Sequence, residues 1–282
     1  MRRAGDHLPA LAARLRPRVV YTDLDGTLLG PGGSLFAGRG GGVTARAAEA
    51  VAALHRAGIA LVPTSGRVEA TVREAARLLG ADGYVAELGG ITVRGEEVVR
   101  THGDHRGPES PYRALIRSGA AGLVLEAHPG RLELYTPSSY HRECSLLLRG
   151  HVDLERTRDL LARNGYGWVT LEDNGIVPRR FPGLDVDEVH VYHLVPRGVS
   201  KAAAVAADLA ARGMDAWGAV AVGDSPTDVA LAPHVGAVFV VANGAAAVGP
   251  QTPDNVFVTD GPNGDGFAEA ILGLLSPPPA AG

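Results

Sequence analysis

The run Asp23-Leu24-Asp25-Gly26-Thr27 places two carboxylates one residue apart, followed by a glycine and a hydroxyl. On a strand, residues two apart point to the same side, so both carboxylates can face one site. Such a pair attracts a divalent cation, and one member can act as a nucleophile. Three further stretches carry groups that this chemistry uses: Thr64-Ser65-Gly66-Arg67, Ser200-Lys201 and Gly223-Asp224-Ser225-Pro226-Thr227-Asp228. Lys201 is set apart by composition. Lys and Arg total 27 and Lys201 is the only lysine, so the preference for arginine stops at this position. An ammonium is a compact point charge that a planar guanidinium does not reproduce.

Hydrolysis of a phosphate monoester needs a nucleophile in line with phosphorus, a proton for the leaving oxygen, and positive charge for the phosphoryl oxygens. Asp23 can supply the nucleophile and form an aspartyl-phosphate. Asp25 can protonate the leaving group and then take a proton from the attacking water. Ser65 can donate to a phosphoryl oxygen, and Lys201 can neutralise the phosphate while holding Asp23. Asp224, with Asp23 and a backbone carbonyl at Asp25, can complete an octahedral Mg²⁺ site. Asp228, one helical turn on, can orient a metal-bound water or Lys201. The expected cofactor is therefore Mg²⁺, with Asp23, Asp25, Asp224 and Asp228 as the metal-site residues. Each stretch alone has a plainer reading, because Asp and Gly are ordinary turn residues and Asp is an ordinary helix cap. Their coincidence is what carries the chemistry.

The elements that position these groups follow from apolar patterning. Val19-Val20-Tyr21-Thr22 reads as a buried strand ending at Asp23. A helix over residues 44–56, capped by Thr44, leads to a second strand over 59–62, which ends at Thr64-Ser65. A helix to Leu79, closed by Gly80, precedes a third strand over 84–86, which ends at Glu87-Leu88-Gly89-Gly90. Alternation at this rate implies a parallel sheet with ligands at the strands' C-terminal ends. The pattern resumes at Ser200 with a helix to Arg212, a strand over 219–222, a helix opened at Gly223–Asp228, and a strand over 237–241. Between residues 95 and 194 the texture is looser. Short strands are expected at 122–125, 131–135, 145–151, 168–171 and 188–193, with a helix over 154–163 capped by Asp153.

Taken in order, the four motifs resemble those of the haloacid dehalogenase superfamily of phosphohydrolases. Asp23-Leu24-Asp25-Gly26-Thr27 is similar to its first motif and Ser65-Gly66-Arg67 to its second. Val199-Ser200-Lys201 is similar to the third, and Gly223-Asp224-Ser225-Pro226-Thr227-Asp228 to the fourth. The resemblance implies an α/β fold with a Rossmann-like core over 1–94 and 195–282. A smaller α+β cap over 95–194 would be inserted after the third core strand and set substrate specificity. That placement resembles the Cof-type sugar phosphatases and their relatives. Arg142-Glu143-Cys144-Ser145 is similar to an element of the mannosyl-3-phosphoglycerate phosphatase branch. Two departures stand out: Leu88 where relatives often have Asn, and Thr227 where the fourth motif usually has Asn.

The implied activity is Mg²⁺-dependent hydrolysis of a small phosphorylated sugar or sugar acid. A phosphosugar mutase and a non-catalytic phosphosugar-binding protein of the same fold stay open beside it. Thr64, Arg67, Arg142, Arg149 and Arg179 are candidates to contact substrate, with Arg180 a further cation for a second anionic group. His190 and His193, three apart on a strand, face opposite sides, which argues against a metal site built on that pair. Trp168 and Trp217 are expected to pack in cores, and Cys144 to be a small buried residue.

Composition removes other classes. The net charge of −4 offers no footprint for nucleic acid, and no apolar stretch is long enough for a membrane span. The arginine-bearing residues 1–18 lack the apolar core of a signal peptide and read as an extension or first helix. The single cysteine excludes an intrachain disulfide and suits a cytoplasmic protein, while residues 276–282 read as a disordered tail.

Overall fold

The N-terminal arginines enter a short strand, β1 (Arg2–Arg3), and a helix, α1 (Ala4–Arg14), whose Ala4 and Leu8 are buried. The computed structural model describes residues 1–177 and 179–276, so the expected tail lies, beyond Ser276, outside the described residues. β2 (Val19–Thr22) is buried along its whole length. α2 (Arg46–Arg56) starts two residues after Thr44, whose hydroxyl accepts from the Arg46 N–H at 3.3 Å while Ala45 takes the cap position. β3 (Ala60–Pro63), α3 (Glu69–Leu79) and β4 (Gly83–Ala86) follow the expected alternation. Two strands that sequence patterning did not reveal follow: β5 (Ile91–Arg94) runs antiparallel to β4, and β6 (Glu97–Arg100) antiparallel to β5. β6 is exposed along its length and β5 fully buries only Ile91, so neither carries the continuous apolar run that marks a buried strand.

The next stretch builds α4 (Pro111–Arg117), α5 (Ala120–Ala127), β7 (Leu132–Leu134), β8 (Leu146–Gly150), α6 (Leu154–Arg163), β9 (Val169–Ile176) and β10 (His190–Pro196). The expected strand over 122–125 is instead part of α5. A short apolar run does not distinguish strand from buried helix, and here Ala120, Ala121 and Val124 form one helical face packed into the local core. The chain then returns through α7 (Lys201–Ala211), β11 (Ala219–Gly223), α8 (Pro226–Val229), β12 (Ala237–Val240), α9 (Ala245–Val248), β13 (Val256–Val258) and α10 (Asn263–Leu275).

Six parallel strands in the order β1-β13-β12-β11-β2-β3 form the central sheet. A bridge between Thr64 and Val85 carries it to β4. Both faces are covered, as all-parallel sheets require. Val20, Val222 and Phe239 pack into one layer with α1, α2 and α10, while Val19, Tyr21 and Ala221 pack into the other with α7. A separate, smaller antiparallel sheet has the order β7-β8-β10-β9. Leu146, Leu148, Leu171, Tyr192 and Leu194 bury one of its faces against α4, α5 and α6. Trp168 joins that core, whereas Trp217 is half exposed beneath the Arg14 guanidinium, so the expectation of a core Trp217 is corrected. No helix of the described residues is long and apolar enough to cross a membrane.

Strand order fixes where a ligand can sit. β2 is flanked by β3, which follows it in sequence, and by β11, which comes almost 200 residues later. The direction of winding therefore reverses at β2, and a crevice opens at the C-terminal ends of β2 and β11.

Candidate active site

Asp23 leaves the end of β2 with its N–H bonded to Val222 O of β11 at 2.9 Å. The turn that follows needs Gly26 twice over: its φ is +79°, and a Cβ there would collide with the Asp224 carboxylate. Asn243, just after β12, donates to Gly26 O at 2.9 Å and pins this turn from the side. Lys201, the first residue of α7, is 1% exposed. Its Nζ donates to Asp23 Oδ1 at 2.7 Å and to Asp228 Oδ1 at 2.8 Å. The other Asp228 oxygen accepts from Ser225 Oγ (2.6 Å), Ser225 N (3.1 Å) and Asp224 N (3.2 Å), in a capping box that opens α8. Asp228 thereby fixes both Lys201 and the loop that bears Asp224.

The charges do not balance. Three carboxylates, Asp23, Asp224 and Asp228, share one ammonium. Burial pushes the Asp23 carboxyl up to about 7, with Lys201 opposing and Asp228 assisting. Burial and the Asp23 charge push Asp224 up to about 8. For Lys201 burial works against the charge, but Asp228 and Asp23 outweigh it and hold the pKa above its ordinary value. Among the described residues no donor reaches the Asp224 carboxylate, although its neighbour Asp228 is saturated. A part-buried, donorless carboxylate beside a second one, in an all-oxygen setting, suits a hard divalent cation. Asp23 and Asp224 can hold it, while Asp228 stands behind them.

Ser65 and Thr64 follow β3, alongside Asp23. The Ser65 N–H donates to Val85 O at 2.9 Å and its hydroxyl accepts from Arg67 N at 3.3 Å. Thr64 is buried, its hydroxyl turned onto Val62 O. Arg67 grips Asp25 with two nitrogens, Nε at 2.6 Å from Oδ2, and this bond is the main cause of its raised pKa. Asp25 thus stands more exposed than Asp23 and tied to Arg67.

The second sheet closes against this end of the core. His193 of β10 and Asn174 of β9 press on Gly66: a Cβ there would lie 2.6 Å from His193 Nε2 and 2.9 Å from Asn174 Nδ2. Burial, with Arg142 and Lys201 nearby, keeps the His193 pKa well below its ordinary value, so this ring is neutral. Arg142 is buried and donates to Gly66 O (3.0 Å), Ser145 Oγ (2.9 Å) and Ser138 O (2.9 Å). Glu87, just past β4, accepts from the N–H groups of Glu143 (2.9 Å), Cys144 (2.9 Å) and Ser145 (3.1 Å).

No family model matches the chain. Over 266 residues it is 26% identical to the phosphoglycolate phosphatase of Archaeoglobus fulgidus, covering 92% of this chain and 99% of that protein. The sucrose-phosphatase from Synechocystis sp. PCC6803, solved with sucrose and phosphate, has a TM-score of 0.63 at 15% identity and covers 92% of this chain and 98% of that one. A haloacid dehalogenase-like hydrolase from Bacteroides thetaiotaomicron has a TM-score of 0.60 at 17% identity, covering 91% and 98% of the two chains. The chain has the haloacid dehalogenase fold. At this coverage the likeness takes in the second sheet as well as the central one.

Within the haloacid dehalogenase fold, Asp23, Lys201, Asp224 and Asp228 are brought together from distant stretches, with Ser65 beside them. The arginine candidates divide. Arg67 and Arg142 lie at the core's strand ends, but Arg149 is bound to Glu133 (2.6 Å) and lies over the Phe181 and Tyr135 rings, while Arg179 lies over Phe181. Asn174, His193, Asn243 and Glu87 were not singled out as site residues. Asn243 had a signal, since Ala242-Asn243-Gly244 is another polar cluster at a strand end. Glu87 had the same signal at the end of the third strand, whereas Asn174 and His193 depend on contacts between the two sheets, which local patterning does not encode.

Proposed function

We propose that the protein is a Mg²⁺-dependent phosphatase acting on a small phosphorylated sugar or sugar acid. The observation that carries this reading is Lys201 clamped between Asp23 and Asp228 beside the donorless carboxylate of Asp224. Lys201 holds one oxygen of Asp23 and leaves the other for attack on phosphorus. As that bond forms, the bond from phosphorus to the alcohol oxygen breaks, and a protonated Asp25, turned from Arg67 toward the substrate, delivers its proton to the departing oxygen. Asp25, now a carboxylate, takes a proton from the water that attacks the aspartyl-phosphate, which releases inorganic phosphate and restores Asp23. Ser65 and the Lys201 ammonium stabilise the phosphoryl oxygens. Mg²⁺ held by Asp23, Asp224 and the Asp25 carbonyl would neutralise further charge on those oxygens.

The residues 95–194 act in this reading as a cap that excludes water and selects the leaving group. The groups where the second sheet meets the core are in keeping with a small acid. Arg142 and the neutral His193 are buried against Gly66 there, and the Archaeoglobus fulgidus relative is named for phosphoglycolate. The Arg142-Glu143-Cys144-Ser145 element keeps a mannosyl-3-phosphoglycerate-like substrate in the comparison set.

Phosphate release from phosphoglycolate, hexose phosphates and mannosyl-3-phosphoglycerate, with Mg²⁺ and with excess EDTA, tests the reading. Metal-dependent release concentrated on a few members is expected. Asp23→Asn should reduce turnover by at least about 10³-fold without unfolding the chain. No release from any member by the folded, Mg²⁺-supplied protein would favour a mutase or a binding protein.

A further inference from the structure

A second cluster of ligating side chains lies on the opposite face of the smaller sheet from His193. The His190 ring stacks on Tyr192 (centroids 5.8 Å apart, planes 11° apart), and Tyr192 belongs to the core beneath α4, α5 and α6. A register shift between His190 and Tyr192 accompanies this placement. His190 Nδ1 faces Asp173 Oδ2 at 2.7 Å, and Nε2 faces Glu188 Oε1 at 2.9 Å. The His151 ring, centred 5.0 Å from that of His190, completes a group with Glu188 and His190 whose ligand atoms all lie within 4.8 Å of one another.

A neutral imidazole has one N–H and one lone pair. With Nδ1–H given to Asp173, the Nε2 lone pair of a neutral ring would point at the Glu188 carboxylate, an acceptor against an acceptor. A second proton on His190, or a cation at Nε2, resolves the conflict. The proton reading leaves His151 without a part: among the described residues its ring makes no hydrogen bond. A metal ion uses all three groups. Their spread of up to 4.8 Å is wider than the separation of about 3.3 Å between ligands of a tetrahedral Zn²⁺ with bonds near 2.0–2.1 Å, a difference that side-chain rotation can close.

We propose that His151, Glu188 and His190 bind a divalent transition-metal cation of the Zn²⁺ type, with Asp173 orienting His190 from behind. Two imidazoles and a carboxylate favour Zn²⁺ over Mg²⁺, so this site differs in chemistry from the oxygen-only group at Asp23 and Asp224. The Nδ1–H···carboxylate contact is the outer-shell arrangement that fixes a ligating histidine's tautomer. The backbone prepares the geometry: His151 N donates to Arg131 O at 2.9 Å, and Val189 O accepts from Val177 N at 2.8 Å. His190 is 16% exposed and Glu188 49%, so an ion can enter from solvent. The bonds to Asp173 and Glu188 raise the His190 pKa, partly offset by burial, so protons compete with the cation for this ring. Bound there, the ion would tie the end of β8 to the start of β10.

Zn²⁺ titration of chelator-treated protein in excess Mg²⁺, read by calorimetry and by the visible spectrum of the Co²⁺ derivative, tests the proposal. One equivalent should bind with a tetrahedral Co²⁺ signature. His190→Ala and His151→Gln should each weaken binding about 100-fold or more, Asp173→Asn about 10-fold, and Asp224→Asn not at all. His151→Gln leaves β10 intact and decides the matter if His190→Ala does not fold. No Zn²⁺ binding, or binding that survives His151→Gln but is lost in Asp224→Asn, would overturn the proposal and leave His190 as a protonated ion-pair partner.

Discussion

Asp228 and Glu87 solve the same physical problem in two parts of the molecule. Each is a buried carboxylate, and each accepts hydrogen bonds from consecutive backbone N–H groups, two for Asp228 and three for Glu87. They differ in what they join. The backbone partners of Asp228 lie three and four residues away, so it stiffens a single loop and passes that rigidity to Lys201. Those of Glu87 lie 56 to 58 residues away, so it fastens the 143–145 segment to the end of a core strand. One carboxylate sets the position of Lys201 and through it Asp23; the other sets how the smaller sheet meets the core. In the proposed reading, rate is built into the first nest and selectivity into the second.

The strongest way to break this comparison is Asp228→Ala. It leaves Lys201 with one partner and two backbone donors with none, inside a site where Asp228 is 2% exposed. Removing one member of a buried pair costs about 3–5 kcal/mol. Turnover should fall by about 10²–10³-fold on every substrate alike, because Asp23 loses its fixed counter-ion. Urea unfolding and steady-state kinetics measure the two effects. A stable variant with near-normal kcat would show that Lys201 needs no second anchor.

The excess charge around Asp224 gives a smaller, pH-dependent effect. Asp23 and Asp224 keep protons in the folded, metal-free chain up to about 7 and 8, whereas the unfolded chain releases them near 3.8. Over that interval the folded state binds more protons, so unfolding free energy falls as pH rises. His193 acts in the other direction: its depressed pKa adds stability that is lost as pH drops through the unfolded value of 6.5. Between pH 6.5 and 8 the carboxylates therefore act largely unopposed. The melting temperature without divalent cation should fall across this range, and Mg²⁺ should flatten the fall. A profile that Mg²⁺ leaves unchanged would remove Asp23 and Asp224 as its ligands.

The same contrast explains what the sequence made legible. Asp228 and its donors form a capping box within four residues, and Asp23, Ser65 and Lys201 sit at strand ends or helix starts that apolar patterning marks. Such positions converge by virtue of the parallel sheet itself. The strand-like run at 122–125 became helix because burial against α4 and α6, rather than local preference, decided it. Arg149 was readable as an anion binder by type alone, yet Glu133 and the Phe181 ring occupy its guanidinium. His193 and Asn174 acquire a role only because β9 and β10 are laid over Gly66.

Glu87→Gln sharpens the comparison with the gentlest change. The amide keeps one acceptor oxygen, but in the place of Oε2 its NH₂ would face the Cys144 and Ser145 N–H groups, donor against donor. A lost buried acceptor of this kind costs about 1–3 kcal/mol. The loss falls on the segment that carries Arg142 and Ser145, the two residues that contact Gly66 and His193 from above. We expect kcat/KM for the preferred small acid to drop about 10-fold, an effect of about 1.4 kcal/mol on substrate positioning. Hydrolysis of a minimal aryl phosphate, which asks little of the cap, should change less than about 2-fold. Faster hydrogen exchange at the Cys144 and Ser145 amides should accompany the loss. Equal losses on both substrates would place Glu87 in the support of the reacting groups, and the division of labour between the two carboxylates would fail.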